Sequence, residues 1–339
     1  MANGSQQAQA SQAEPANPAP AERPAVHGDG AANPGWHARA SLRVEASRIE
    51  GQPCRHQAAA QAPLKWLRAF PEADGRLQIP LLHTAGGLVG GDQLQLDLKL
   101  EPGGRALLTS VAAQKVYGSV GRSALAPEGR WASLHMDVQL ATGADLEWLP
   151  QELVLYADGL YAQQIHVELE PGASYLGAEV VRLGRSAAGE SLRAGRFRSS
   201  LSIGRRDRDG LHWELVDRLE LAAAALESEH GMASQPVFGS LVWAAPAPLD
   251  GIRLEGLLER CRDARRGLDG AMACGALEQG LIARYRGPSS QAARFWFTRL
   301  WALIRQEQTL PPPVLPRVWP FQEQPLADGW ADGWADGSV

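Results

Sequence analysis

The residues of this 339-residue chain with the most chemical potential lie between His83 and Ser119. The run HTAGGLVGGD at 83–92 sets Gly86, Gly87, Gly90 and Gly91 within six positions and closes on Asp92. Glycines let the backbone take positive φ and let another backbone or a ligand approach closely. Phosphate binding is the first chemistry to test. A P-loop needs a lysine and a Ser/Thr after its glycines, with a helix N-terminus facing the phosphates. Here an acid follows Gly91. Then Leu94, Leu96, Leu98 and Leu100 alternate with Gln95, Asp97 and Lys99, the two-residue period of a strand buried on one face. The dinucleotide fingerprint fails for the same reason. The glycines read as a tight β-corner. Asp92 has two readings: a cap for local N–H groups, or a carboxylate that faces a solvent-filled cavity and touches a cation.

Other catalytic patterns are thin. No two of the eight histidines are closer than ten positions, so no local pair of metal-ligating histidines exists. There is no GxSxG nucleophile elbow. Cys54, Cys261 and Cys274 are the only cysteines and form no CxxC, which fits a reducing compartment. A formal charge of −5 does not suggest a nucleic-acid binder, and Lys65, Lys99 and Lys115 are the only lysines among 33 basic residues. The arginines from Arg182 to Arg208 have only one aromatic, Phe197, among them. That favours a protein-facing or solvated sheet surface over single-strand stacking.

The elements that must position these residues read mainly as strands. With 45% hydrophobic residues the chain can bury a sizeable core, as one large all-β unit or two smaller domains. Strands are expected over Ala38–Ile49 and Leu64–Phe70, over the alternating runs 94–100 and 132–140, and over Leu146–Leu149, Ile165–Leu169 and Leu277–Tyr285. Turns at 101–104, 141–144 and 170–173 follow alternating strands, so the pattern predicts antiparallel hairpins uninterrupted by a helix up to about residue 220. Two helices are expected in the C-terminal half. One spans Asp250–Ala264, with Ile252, Leu254, Leu257 and Leu258 as its face. The other runs from a Ser289 cap to about Gln308, with Phe295, Trp296, Leu300, Leu303 and Ile304 facing the core, and Pro311–Pro313 stop it.

Residues 1–34 contain no Leu, Ile, Phe, Tyr or Trp and read as a disordered leader without the features of a secretory or transit signal. The Ala-Asp-Gly-Trp repeats near the end read as a disordered tail over 322–339. The domain expected between them spans 35–321. No apolar run reaches membrane-span length, and a cytoplasmic location is expected.

The loop at 83–92, EPGGRALLT at 101–109, KVYGS at 115–119, EWLPQE at 147–152, LGR at 183–185 with Gly189-Glu190, and LPRVW at 315–319 together resemble the UreD family of urease accessory proteins, called UreH in some lineages. The resemblance covers about residues 36–320, in order. It implies a non-enzymatic chaperone for metallocentre assembly: an all-β protein of stacked, twisted, mainly antiparallel sheets with two helices, binding apo-urease and the accessory proteins UreF and UreG. UreG is the GTPase of that set, so GTP belongs to the partner. Ni²⁺ is implied to pass transiently from UreG through UreF and a water-filled tunnel in this protein to urease, with no cofactor tightly bound. A conduit suits scattered carboxylates and water, because tight His or Cys ligation would trap the ion.

Carried over residue by residue, the acid ending the loop is Asp92, the acid before the LGR segment is Glu179, and the acid of the V-[DE]-R-L segment is Asp217, beside Arg218. The resemblance makes these the expected tunnel-lining groups, with Asp92 a transient metal ligand; structural caps or ion pairs are the alternative. His83, Gly86, Gly87, Gly90 and Gly91 form the motif loop, and Lys115, Tyr117 and Arg218 are expected at interfaces or in packing. Thr84-Ala85 replace the two prolines common in the family loop, and Gln114 stands where a small residue is frequent, which narrows the bore if that position lines it. Two rivals remain: a metal-dependent hydrolase assembled from residues such as His83, His135 and Asp92, and a structural assembly factor indifferent to the three carboxylates.

Overall fold

The computed structural model describes residues 35–320 and 324–326. The expected leader lies outside them, as does the expected tail apart from 324–326. Strands β1 (His37–Glu45), β2 (Arg55–Ala60), β3 (Leu64–Trp66), β4 (Phe70–Pro71) and β5 (Leu77–His83) precede the glycine loop. Then come β6 (Gln93–Leu100), β7 (Arg105–Ser110), β8 (Gln114–Val116), β9 (Ala132–Leu140), β10 (Asp145–Trp148), β11 (Leu153–Leu155), β12 (Leu160–Leu169) and β13 (Ser174–Leu183). The chain continues through β14 (Arg196–Arg206), β15 (Leu211–Leu221), helix α1 (Ala223–Glu227) and β16 (Val237–Ala244). It closes with α2 (Gly251–Asp263), β17 (Ala271–Leu277), β18 (Gly280–Gly287) and α3 (Ser290–Glu307).

The strands form two sheets. The first runs β15-β14-β12-β9-β6-β1-β2 and the second β17-β18-β16-β13-β10-β7-β5-β3, with β4, β8 and β11 paired at its side. The sheets are mixed, which corrects the expectation of mainly antiparallel hairpins. In the first sheet β1·β6, β6·β9, β9·β12 and β12·β14 are parallel. In the second, β5·β7, β7·β10 and β10·β13 are parallel. The turns after β6, β9 and β12 carry the chain from one sheet to the other, so it returns to the first sheet one position over and running the same way. Alternation of apolar residues reports one buried face per strand, and it is silent on which strand lies alongside.

The layering is sheet on sheet, with helices outside the second sheet. One core fills the space between the sheets, with Leu42, Leu96, Val138 and Val167 from the first and Ile79, Leu108, Leu146 and Val242 from the second. Another core lies between the second sheet and α2 and α3, built on Leu107, Leu176, Leu241, Trp243, Trp296 and Trp301. The second sheet is therefore covered on both faces, and β16 is buried at every residue. Such a strand reads as a continuous apolar run rather than an alternation.

Both expected helices form. Asp250 caps α2 by accepting from Arg253 N at 2.9 Å, and Ser289 caps α3 by accepting from Ala292 N at 3.1 Å. Trp296, Leu300, Leu303 and Ile304 are buried as expected, while Phe295 is only half-buried. Ile252 is 89% exposed, against expectation. At about 100° per residue it sits nearly opposite the stripe of Leu257, Leu258 and Cys261 that α2 buries. No helix among the described residues is long and apolar enough to cross a membrane.

A buried charge network fastens α3 to the second sheet. Glu147, on β10, accepts from Trp301 Nε1 at 2.7 Å and from Arg305 Nε and Nη2 at 2.8 and 2.6 Å. Arg305 Nη1 also reaches Glu72 at 3.0 Å, and Arg76 Nη2 meets Asp145 at 2.5 Å. Burial by itself would raise the Glu147 carboxyl, but Arg76, Arg305 and the Trp301 N–H outweigh it and hold the group below the usual range. The carboxyl is thus more acidic folded than unfolded. Its contribution to stability is present above the unfolded value and lost as pH falls through the folded one. Arg305→Met, which strands a buried carboxylate, is expected to cost about 3–5 kcal/mol in urea unfolding. Glu147→Gln is expected to remove part of the loss of stability on acidification seen in the wild type.

Candidate functional site

The glycine loop folds back onto the KVYGS segment. Leu88 N donates to Lys115 O at 2.8 Å, and Tyr117 N donates to Leu88 O at 2.9 Å. Two glycines make this approach possible. A Cβ on Gly87, at φ 157°, would lie 2.6 Å from the Tyr117 ring, and one on Gly90 would strike the Ser119 hydroxyl and come within 2.7 Å of Arg130 O. Asp92 closes the loop from inside. Its Oδ1 accepts from Trp36 N and its Oδ2 from Val89 N, both at 2.8 Å. As folded, both its oxygens cap backbone.

A cavity of about 230 Å³ lies between the two sheets and runs up to this loop. Near the loop its lining includes His83, Gly86, Gln114 and Lys115. Gly86 and Lys115 are exposed, so the cavity reaches the surface there. His83 is half-buried, and burial lowers its pKa, with Asp92 opposing the change. Its imidazole is therefore mainly neutral near pH 7. Most of the deeper wall is leucine, valine and isoleucine, with Gln163, Glu179, Ser199 and Ser240 as polar groups among them.

Those groups form a band across the sandwich. On the second sheet Glu179 is paired with Ser240 and Ser240 with Arg284, so the three side chains leave one face in a row. On the first sheet Gln163 is paired with Ser199. Gln163 Nε2 donates to Glu179 Oε2 across the gap and to Ser199 Oγ at 3.0 Å. Arg284 donates to the Ser240 hydroxyl and bridges the gap again to Asp217 Oδ2 at 2.6 Å. Asp217 sits on β15, the edge of the first sheet, and its side chain is 27% exposed against 33% for Arg284.

Glu179 is half-buried and lines the cavity, with protein atoms crowded around its carboxyl. Burial pushes its carboxyl up to about 7; the Gln163 hydrogen bond and the Arg284 charge resist this, and Asp217 adds to it. Tyr161 and Tyr175, both buried nearby, are raised by burial and then by the Glu179 charge.

The structure thus brings His83, Gly86, Lys115 and Glu179 to one cavity. Asp217 adjoins it through Arg284, and Asp92 stands behind its loop. Tyr117 packs edge-on against Tyr156 at 5.1 Å, and its hydroxyl donates to Gly86 O at 3.3 Å. Arg218 is exposed on β15. His135 points to the other side of β9 from the cavity-lining Leu134, and pairs with Asp137 at 3.0 Å. Among the described residues no group of three or more His, Cys, Asp or Glu is placed to hold a metal ion.

The family described as UreD urease accessory protein matches residues 38–320. A urease accessory protein UreD of Synechococcus sp. (strain WH7805) is 56% identical over 296 residues, covering 86% of this chain and 93% of that protein. A protein of the same name from Prochlorococcus marinus (strain MIT 9303) is 58% identical over 293 residues, covering 85% of this chain and 98% of that one. The chain belongs to the UreD family.

The other motifs by which the UreD resemblance is legible have structural partners here. Glu147 anchors the charge network, and Glu152 meets Arg294 at 2.7 Å. Trp319 donates to Thr109 Oγ1 at 2.9 Å, and Arg185 pairs with Glu190 while stacking 4.5 Å over Tyr156. Sequence reasoning missed Gln163, Ser199, Ser240 and Arg284. Ser240 did carry a signal, as the one polar side chain in the run VFGSLVWA of β16.

Because Glu179 is less acidic folded than unfolded, its favourable contribution is complete below the unfolded value and is lost as pH rises toward about 7. Difference infrared spectra are expected to show a protonated carboxyl band that disappears near neutral pH and is missing in Glu179→Gln. The unfolding free energy of that variant should rise relative to wild type over the same interval.

Proposed function

We propose that this UreD-family chain is a non-catalytic scaffold for urease maturation, which binds apo-urease with UreF and UreG in the cytoplasm and passes Ni²⁺ along the cavity between its sheets. The observation that carries the reading is Glu179: a single carboxylate set in a largely apolar cavity that opens beside the glycine loop. A dication crossing an apolar interior needs oxygen donors and partial neutralisation. Glu179, Gln163, Ser199 and Ser240 supply both without the His or Cys set that would retain nickel. A carboxyl poised near 7 exchanges its proton for a cation at little cost near neutrality. The neutral His83 imidazole at the opening offers a first, weak contact.

In this reading Asp92 acts by fixing the loop and by its charge near His83 rather than by ligation, since both its oxygens are engaged. The glycine loop lacks the lysine of a phosphate site, so GTP is assigned to UreG. For the hydrolase alternative, His83, His135 and Asp92 do not converge: His135 lies on the opposite face of β9 from the cavity, and both Asp92 oxygens accept from backbone N–H groups.

The test is activation of apo-urease by Ni²⁺ and GTP with purified UreF and UreG. Glu179→Gln is expected to assemble normally and to activate roughly tenfold more slowly or worse, as for removal of one well-placed charge. Asp92→Ala, which frees two backbone N–H groups, is expected to lower both assembly and activation. Full activation by Glu179→Gln would leave a structural assembly factor as the function, and activation indifferent to omission of the whole chain would remove the maturation role.

A further inference from the structure

The polar band carries one charge that cation passage does not call for. Arg284 shares the cross-strand row of Ser240 and Glu179, and Asp217 faces it from the other sheet. Its guanidinium serves the Ser240 hydroxyl and Asp217 Oδ2 together, and it lies 5.8 Å over the ring of Phe238. Its charge also acts on Glu179, where it opposes Asp217. The only cation among the band's groups is therefore covalently part of the chain. We propose that Arg284 is a tethered counter-charge that takes the place of a dication against Asp217 and along the row from Glu179, and so keeps these two carboxylates from retaining metal. This rests on the reading that Ni²⁺ passes through the cavity.

Without Arg284, the Asp217 carboxylate across the gap and the Glu179 carboxylate two strands along the row, with Gln163, Ser199 and Ser240 near them, would leave an oxygen-rich, doubly negative band of the kind that attracts divalent cations. With it, an incoming ion has to displace an ion pair that is always present at high local concentration. The bridge is partly exposed, so its own attraction is screened and the exchange is reversible. The Phe238 face gives the displaced guanidinium a nearby resting place. Residence in the band is thus kept short, which a conduit needs and a storage site does not.

Nickel binding to the full chain, purified with UreF, tests this by equilibrium dialysis against Ni²⁺ alone. Arg284→Met is expected to retain Ni²⁺ roughly tenfold more tightly than wild type, the effect of one removed neighbouring charge. Arg284→Lys should return to wild-type retention, and adding Glu179→Gln to Arg284→Met should abolish the gain. Retention by Arg284→Met within twofold of wild type, with its circular dichroism and UreF binding intact, would overturn the proposal. Should Arg284→Met not fold, Asp217→Asn reads the same balance from the other side. It releases Arg284 toward Glu179 and should weaken Ni²⁺ binding, and unchanged binding there would equally overturn it. The conduit reading fails separately, by full urease activation in Glu179→Gln. Loss of activation in that variant with unchanged retention in Arg284→Met overturns the counter-charge role alone.

Discussion

The cost of placing charge against a sheet covered on both faces governs this structure. The second sheet has the first sheet on one side and α2 and α3 on the other. Any ionised group on either face must find its partners within the protein, because removal from water costs several kcal/mol per ion. The two faces answer differently. On the helix face Glu147 is saturated by Trp301 and by two nitrogens of Arg305, with Arg76 behind it. On the face toward the first sheet Glu179 receives one hydrogen bond, from Gln163, and keeps an open side toward the cavity. The first arrangement locks an element in place, whereas the second leaves a carboxylate able to take a proton or a cation.

The same contrast separates the parts of the molecule that hold it together from those that line its cavity. The EWLPQE and LPRVW segments, far apart in the chain, end at one buried assembly that joins β10, α3 and the residues after α3. The glycine loop is held against β8 by Leu88 and capped by Asp92, which sets the position of the cavity opening. Between these fixed ends, the polar groups of the band come from six different strands of two sheets. None of these strands contributes more than one charged side chain to it. Scattered provision of this kind suits weak and successive contacts with a mobile ion better than a single ligation site would.

Much of the architecture was legible in the chain. Period-two alternation located β6 and β9, the apolar face over Asp250–Ala264 marked α2, the Ser289 cap marked α3, and the ordered motifs carried the family resemblance. The pairing of strands was not legible, because a turn such as that at 101–104 looks the same whether it closes a hairpin or crosses to another sheet. The short helix α1 was missed, having no buried face to impose a period. For the candidate site, the sequence named three acids and gave nothing of their environments. Asp92 proved to cap backbone, Asp217 to pair with Arg284, and Glu179 to line the cavity, and nothing local to the three residues distinguishes these fates.

Sequence by itself determined the class of elements, the two principal helices, the glycine corner and the membership in the UreD family, since each depends on residues close together in the chain or on motifs in a fixed order. Tertiary structure alone decided that successive strands alternate between two sheets, that Glu179, Ser240 and Arg284 stand in one row, and that Gln163 and Asp217 face them from across the gap. The direct contacts among them join residues up to 67 positions apart. Register is set by the packing of whole sheets, and no local periodicity encodes it.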